Sequence, residues 1–465
     1  MRSQIVSLLC CLVLLISTVG CTDATQLVKD SQPTKAELLD EINTEHQRWS
    51  AAPAADPTPY LRHYDDPADA QKYFDYVTDT YSEYDAAKEL SLEEAEEDVN
   101  YLFDAFYYDF AFYDYFGGHT VFDQAKAEIL QELQAKDNLT CKDLQEVLVK
   151  HLTFIKDGHF NINHNFPAEK EIPFFFRQVM FVKTDSGYQD SNGKTVVSVD
   201  GHPDLDALFK RSISKEGYLV YYPVLLKKAK FDGTEWDKHV CDEQLTVHYA
   251  DGSTDVLTAD TWSQYYKDLP KGQNTDLRQT DGIPVFQFNS FDGSFLQEVN
   301  AAAAQMSDAA ISMLDLRSNV GGYEEVAHQW ITRYSRQRVQ GNGVRYDVVN
   351  PVSVAIAHRW QTHDNILILL SGKCSASSAE ITMDLAYNLE NSLIIGENTN
   401  GCMIGNGGHV ELPNSKCSVI MTSVCVYLLP EGADYFEEMR GLSPDIWVPA
   451  KEAETLAAKL MENLK

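Results

Sequence analysis

A chain of 465 residues with 44% hydrophobic and 11% aromatic side chains is long enough for two or three packed domains and too apolar to be disordered. Its 38 Lys+Arg against 70 Asp+Glu leave a net charge of −32, which argues against a nucleic-acid partner: a phosphate backbone is held by Lys and Arg and would be repelled here. A neutral or cationic peptide would be tolerated.

The chain opens like an export signal. Arg2 supplies a positive start, Ile5 to Val19 is an apolar-rich core of 15 residues, short for a bilayer span, and Gly20-Cys21 follows. Thr18-Val-Gly-Cys21 is similar to a bacterial lipoprotein box, with Thr18 where Leu or Val is usual. On that reading residues 1–20 are a signal peptide and Cys21 is lipidated. The protein is then anchored in the bacterial cell envelope, facing the periplasm or the cell surface; uncleaved retention of the segment as a membrane anchor is the alternative.

Residues 21–80 are polar and carry Pro33, Pro53, Pro57, Pro59 and Pro67, which predicts a tether or loose arm. Ser91-Leu-Glu-Glu94 is a capping box opening a helical region over 81–167. There Tyr101, Leu102, Phe106, Phe110 and Tyr113 recur at helical spacing and read as core. From 168 to 270 short alternating strands take over, such as Thr195–Asp200 and Gln244–Tyr249, with turns at Ser191-Asn-Gly193 and Asp251-Gly252. From 271 to 465 strands alternate with helices, an α/β pattern. Strands are expected at Val285–Phe288, Ala310–Leu314, Ile366–Leu370, Leu393–Ile395 and Val419–Leu429, and helices at Ser294–Met306, Tyr323–Ser335 and Ser377–Leu389.

The chemistry centres on Ser377, at the junction of the apolar run Ile366–Leu370 and the following helix. A serine there has its hydroxyl at a helix N-terminus, where free N–H groups and the positive dipole end can hold an oxyanion. Such a hydroxyl needs a base to take its proton and a third group to orient that base. Lys156-Asp-Gly-His159 presents a histidine after a glycine turn, and Glu438-Met-Arg-Gly-Leu-Ser-Pro-Asp445 presents a carboxylate. Taken singly, each has a plainer explanation: a serine as a helix cap, a histidine in the core, a glutamate in the acidic run Asp434–Glu438.

Competing motifs fail on context. Gly193-Lys-Thr195 imitates the end of a P-loop, but a strand follows. Ser377 has no Gly-x-Ser-x-Gly elbow, which disfavours an α/β-hydrolase. The six cysteines after Cys21 lack CxxC or zinc-type spacing and read as free thiols; no metal, nucleotide or other cofactor is implied.

The ordered set of Asp157-Gly-His159, Asp315-Leu-Arg-Ser-Asn-Val-Gly-Gly322, Ser375-Ala-Ser377-Ser-Ala-Glu380, Gly396-Glu-Asn-Thr-Asn-Gly401 and Glu438-Met-Arg-Gly-Leu-Ser-Pro-Asp445 resembles the S41 serine peptidases, the family of C-terminal processing proteases and the tricorn core protease. The resemblance implies a crotonase-like spiral of ββα units, an N-terminal helical region carrying the base, and a middle segment that is either a degenerate PDZ-like module or a plain β-rich connector. It implies Ser377 as nucleophile, His159 as general base, Glu438 as the residue orienting that base, and an oxyanion hole from the N–H of Ser378 with Gly321 and Gly322. The processing-protease branch has a lysine base where this chain has Cys402, so the His/Ser/Glu arrangement fits better. The expected activity is endopeptidase action on peptides or unfolded proteins, with Ser377 Oγ and His159 within about 2.6–3.2 Å of each other. A non-catalytic binding protein for apolar ligands or peptides on the same fold is the alternative.

Overall fold

The computed structural model describes residues 24–73, 75–230, 238–351, 359–423 and 425–464. The signal segment 1–20 and Cys21 lie outside the described residues. No described helix is long and apolar enough to cross a membrane.

Among the described residues two helices come first, α1 (Ala24–Asp30) and α2 (Lys35–Ser50). Thr34 and Glu37 cap α2 reciprocally, and Leu38, Ile42 and His46, one helical turn apart, turn a single narrow stripe inward. This corrects the expectation of a loose arm over 21–80. Val28 packs with Val182, Val220 and Tyr222, and Leu38 and Ile42 join the core cluster of Ile368, Leu370 and Ile395. Further on, the main chain bonds Arg62 to Val348 and Thr78 to His409. The segment is a strap: polar overall, yet tied down by a few apolar residues and main-chain bonds to distant partners.

Three helices follow, α3 (Leu92–Asp109), α4 (Gly118–Gln134) and α5 (Cys141–His151). The capping box read from Ser91 and Glu94 starts α3, and Leu102, Phe106 and Phe110 are fully buried. Each such side chain is worth about 1.5–3 kcal/mol on burial. Their cluster also contains Val410, Val419 and Met421 from the C-terminal part of the chain, so the helical region and the core share one hydrophobic interior. The region closes on β1 (Asn161–Ile162), which pairs antiparallel with Val419 and Ile420.

The middle segment is strand-rich: β2 (Lys170–Phe175), β3 (Phe181–Thr184), β4 (Gly187–Asp190), β5 (Val196–Val199), β6 (Phe209–Ile213), β7 (Leu219–Ala229), β8 (Gln244–Tyr249) and β9 (Thr254–Thr258). One sheet runs β2-β7-β3-β4 with β6 on β7, and another runs β5-β8-β9. Its single helix among the described residues is α6 (Leu205–Leu208).

The core begins at β10 (Thr275–Thr280) and β11 (Ile283–Phe288), then α7 (Leu296–Met306), β12 (Ile311–Asp315), α8 (Glu324–Ser335), β13 (Val344–Asp347), β14 (Ile366–Ser371), α9 (Ser378–Ala386) and β15 (Ser392–Gly396). There follow β16 (Gly407–Glu411), β17 (Ser418–Thr422), β18 (Cys425–Leu428), β19 (Phe436–Glu437), β20 (Gly441–Leu442), β21 (Ile446–Trp447) and α10 (Ala453–Asn463). The main sheet runs β10-β11-β12-β14-β15-β21, parallel from β11 onward. This is the expected α/β class. All six residues of β14 are buried, as an unbroken apolar run requires of an interior parallel strand. The strand expected over Val419–Leu429 is two strands, β17 and β18, with different partners.

Candidate active site

Ser377 sits where β14 ends and α9 begins, at φ 54° and ψ −116°. A non-glycine residue pays about 1–3 kcal/mol to hold such a backbone, and strain of this kind collects at functional sites. The turn is fixed from below by the fully buried Glu380, whose carboxylate accepts the N–H of Ser377 (2.9 Å), Gly401 (2.7 Å) and Cys402 (3.0 Å) and the hydroxyl of Thr399. The Glu380 N–H in turn donates to the Ser377 carbonyl (2.8 Å).

The glycine pair lies directly against this turn. A Cβ on Gly321, at φ 95°, would stand 2.8 Å from Ser377 Cβ, and one on Gly322, at φ 129°, 2.6 Å from the Phe291 carbonyl oxygen. The oxyanion-hole expectation needs one correction: the Gly321 N–H donates to Asn319 Oδ1 (2.8 Å) and is not free. The N–H groups of Ser378 and Gly322 make no hydrogen bond among the described residues. Ser378 Oγ donates to the Gly322 carbonyl (2.7 Å), joining helix and glycine loop. The Asp315-x-Arg317 part of the motif serves the framework, since the buried Arg317 grips Asp315 (2.7 Å) and Glu454 (2.7 Å).

His159 reaches this region through long-range pairing. β1 is zipped to β17, the Asp157 carboxylate accepts the N–H of Thr422 (2.9 Å) and of His159 (3.0 Å), and Gly158 packs so tightly that a Cβ would lie 2.0 Å from the Gly401 oxygen. The Gly401-Cys402 loop is the one Glu380 ties to Ser377. A cleft of about 740 Å³ is lined by His159, Asn161, Phe166, Tyr266, Val320, Cys374, Ala376, Asn400 and Cys402 among others.

Neither ring nitrogen of His159 has a hydrogen-bond partner among the described residues. The expected bond between His159 and Ser377 Oγ is therefore not formed in this structure. Nearest among the carboxylates is Asp157 Oδ1, 3.8 Å from Nδ1 and beyond hydrogen-bond range. Burial, and then the positive charges of Lys170 and Arg345, push the imidazole down to about 3, so the ring is neutral at physiological pH.

Glu438, between β19 and β20, also differs from expectation. It does not touch the imidazole: its carboxyl accepts the N–H of Gly158 (2.8 Å) and of Ile404 (3.3 Å), holding the loop that carries His159. Burial, with Asp157 and Glu380 beside it, raises its pKa well above the carboxylate range.

Two lysines were not singled out from the sequence. Lys170, on β2, is buried with its ammonium donating to the Gly158 carbonyl (3.0 Å) and to Asn400 Oδ1. Lys373 donates to the carbonyls of Thr399 (2.5 Å) and Arg440 (2.9 Å), and burial brings it down to about 7. Lys170 opens a strand whose residues are nearly all buried, and that apolar run, Ile172–Phe175, is the local signal it gives. Cys402, in the position where the processing branch has lysine, is buried, and burial and then Glu380 hold its thiol well above the ordinary range.

Residues 282–448 match the family model described as Peptidase family S41. The matched segment holds Ser377, Glu438 and the glycine pair, with His159 outside it, and the match supports a serine-type peptidase. No curated protein matches the sequence. Among solved structures the chain is similar to mature CPAF complexed with lactacystin, at 13% identity over 80% of this chain and 97% of that one, TM-score 0.41. It is similar to the photosystem II D1 C-terminal processing protease at 14%, over 80% and 97%, TM-score 0.38. A peptidase from Parabacteroides merdae gives 17%, over 80% and 95%, TM-score 0.38.

Proposed function

We propose that this peptidase is an exported, lipid-anchored endopeptidase in which Ser377 is the nucleophile, His159 the general base and Glu438 the residue that positions the base through the Gly158 N–H. What supports the reading is a strained Ser377 turn whose neighbour Ala376 lines the same cleft as His159, a histidine with both ring nitrogens unbonded among the described residues. A buried imidazole without partners is costly unless the site uses it.

In this mechanism substrate binding brings the His159 ring within reach of Ser377 Oγ; contacts of this kind commonly tighten only with substrate bound. Oγ attacks the peptide carbonyl as the imidazole takes its proton. The carbonyl oxygen becomes an oxyanion held by the N–H groups of Ser378 and Gly322. His159 then protonates the leaving amine, and water, deprotonated by the same ring, cleaves the acyl-enzyme. Export and anchoring at Cys21 rest on the sequence of residues 2–21, and envelope localisation follows from them.

The test is labelling by a fluorophosphonate followed by peptide mapping. Label on Ser377, abolished in Ser377→Ala and strongly slowed in His159→Ala, is expected. Label on a different serine, or hydrolysis of a fluorogenic peptide that persists in Ser377→Ala, would sink the proposal; an inert but folded protein would favour the ligand-binding alternative. A Cys21→Ser chain that stays as membrane-bound as wild type would refute the lipid anchor.

A further inference from the structure

A groove of about 1100 Å³ runs between α7 and α8, where the charged or titratable lining residues are Asp308, Glu325, His328, Arg333, Arg336 and Arg338, three guanidinium groups against two carboxylates. It shares no lining residue with the cleft of His159 and Ala376. In a chain with 70 acidic against 38 basic residues, any guanidinium has carboxylates to choose from. Every other described arginine takes one, or in the case of Arg359 takes main-chain carbonyls. Arg333 and Arg338 are both exposed and make no hydrogen bond or ion pair among the described residues. They face one groove, with Arg336 between them in sequence, itself paired to Asp308 and bonded to Ser307 Oγ (3.0 Å).

A cation in the last turn of a helix is ordinarily explained by the helix dipole, and that accounts for Arg333 at the end of α8. It does not account for Arg338, which lies beyond the helix. Nor does it explain why two planar, bidentate donors stay unpaired where carboxylates are in excess. Two forks on one concave surface match carboxylates presented by an extended chain. The surrounding charge of −32 sets the limit: a nucleic acid or other dense polyanion is repelled over the whole surface, while a peptide with a few carboxylates is not.

We propose that this groove is a docking site for an acidic segment of the protein substrate, with Arg333 and Arg338 as its carboxylate ligands. Its role in proteolysis rests on the peptidase reading; the binding does not. α8 begins two residues after Gly322 and is 12 residues long, about 18 Å. The docked segment is then roughly six or more extended residues from the scissile bond, at about 3.3 Å per residue.

The full chain carrying Ser377→Ala is titrated at low salt into a fluorescein-labelled peptide of alternating Glu and Gly, read by anisotropy. Binding is expected, weakening about tenfold in the Arg333→Gln/Arg338→Gln double variant and with added salt, and unchanged in Arg48→Gln. An affinity unaltered in the folded double variant, or an oligonucleotide of equal charge binding as tightly as the peptide, would overturn the proposal. In the active chain, hydrolysis of a peptide bearing the acidic segment should show a raised KM and unchanged kcat in the double variant, with a short neutral peptide unaffected. Loss of peptide binding in a protein that hydrolyses nothing would refute the peptidase reading and leave the groove standing. Normal hydrolysis with indifferent binding would do the reverse.

Discussion

Replacing Gly321 with alanine tests the geometry of the site at its tightest point. The new Cβ would meet Ser377 Cβ at 2.8 Å and the Ala376 carbonyl oxygen at 2.9 Å, both well inside contact distance, on a backbone held at φ 95°. The backbone alone costs about 1–2 kcal/mol for an L side chain, and forcing an extra carbon into a packed site adds about 1–3 kcal/mol. The control is Gly252→Ala, in the turn between β8 and β9, with φ 84° and nothing within 4 Å of the new Cβ. It bears the backbone cost without the clash. Denaturant unfolding should therefore rank Gly252→Ala near 1–2 kcal/mol below wild type and Gly321→Ala at roughly 2–5 kcal/mol. Activity should separate them further. Relief of the clash pushes the Ser377 turn by something near 1 Å, and a displacement of that order costs about 100-fold in rate, whereas Gly252→Ala should keep wild-type kcat/KM on a fluorogenic peptide. If Gly321→Ala hydrolyses within about twofold of wild type while remaining folded, the close approach of the glycine loop to Ser377 has no bearing on catalysis and the oxyanion argument fails with it.

The remaining expectations concern the base and its surroundings. Because the folded protein lowers His159 from 6.5 to about 3, the unfolded chain takes a proton in that window that the folded chain refuses, so stability is full above pH 6.5 and falls as pH drops through it. Between about pH 6.5 and pH 5 wild type should lose roughly 1–2 kcal/mol more than His159→Gln; parallel curves would refute the depressed imidazole. Lys170→Met removes a positive charge that lowers His159 and leaves the Gly158 carbonyl without that donor, so the acid limb of the pH–rate profile should move to higher pH, and an unmoved limb would count against the electrostatic role. Glu438→Ala leaves the N–H groups of Gly158 and Ile404 without their acceptor; a stability loss of about 2–4 kcal/mol and slower fluorophosphonate labelling of Ser377 are expected. Cys402→Ala should keep most peptidase activity, since a thiol held neutral by burial is no base; a loss as complete as in Ser377→Ala would reverse that conclusion.

Features governed by a few neighbouring residues were legible from the sequence alone. The Ser91/Glu94 cap, the buried run Ile366–Leu370, the alternation of strand and helix after residue 271 and the position of Ser377 at a strand–helix junction all follow from local propensity and periodicity. Motif order by itself points to His159, Glu438 and the glycine pair. Tertiary structure alone decided what those residues touch. Asn319 takes the Gly321 N–H, Glu438 holds the Gly158 main chain rather than the imidazole, and the register of β1 on β17 carries His159 to the core. It also turned the polar stretch before residue 80 into a packed strap, because Leu38 and Ile42 find a partner surface more than 300 residues further along the chain. Hydrogen bonds and packing between distant segments depend on how the sheets register and which faces meet, and a local pattern carries no record of either.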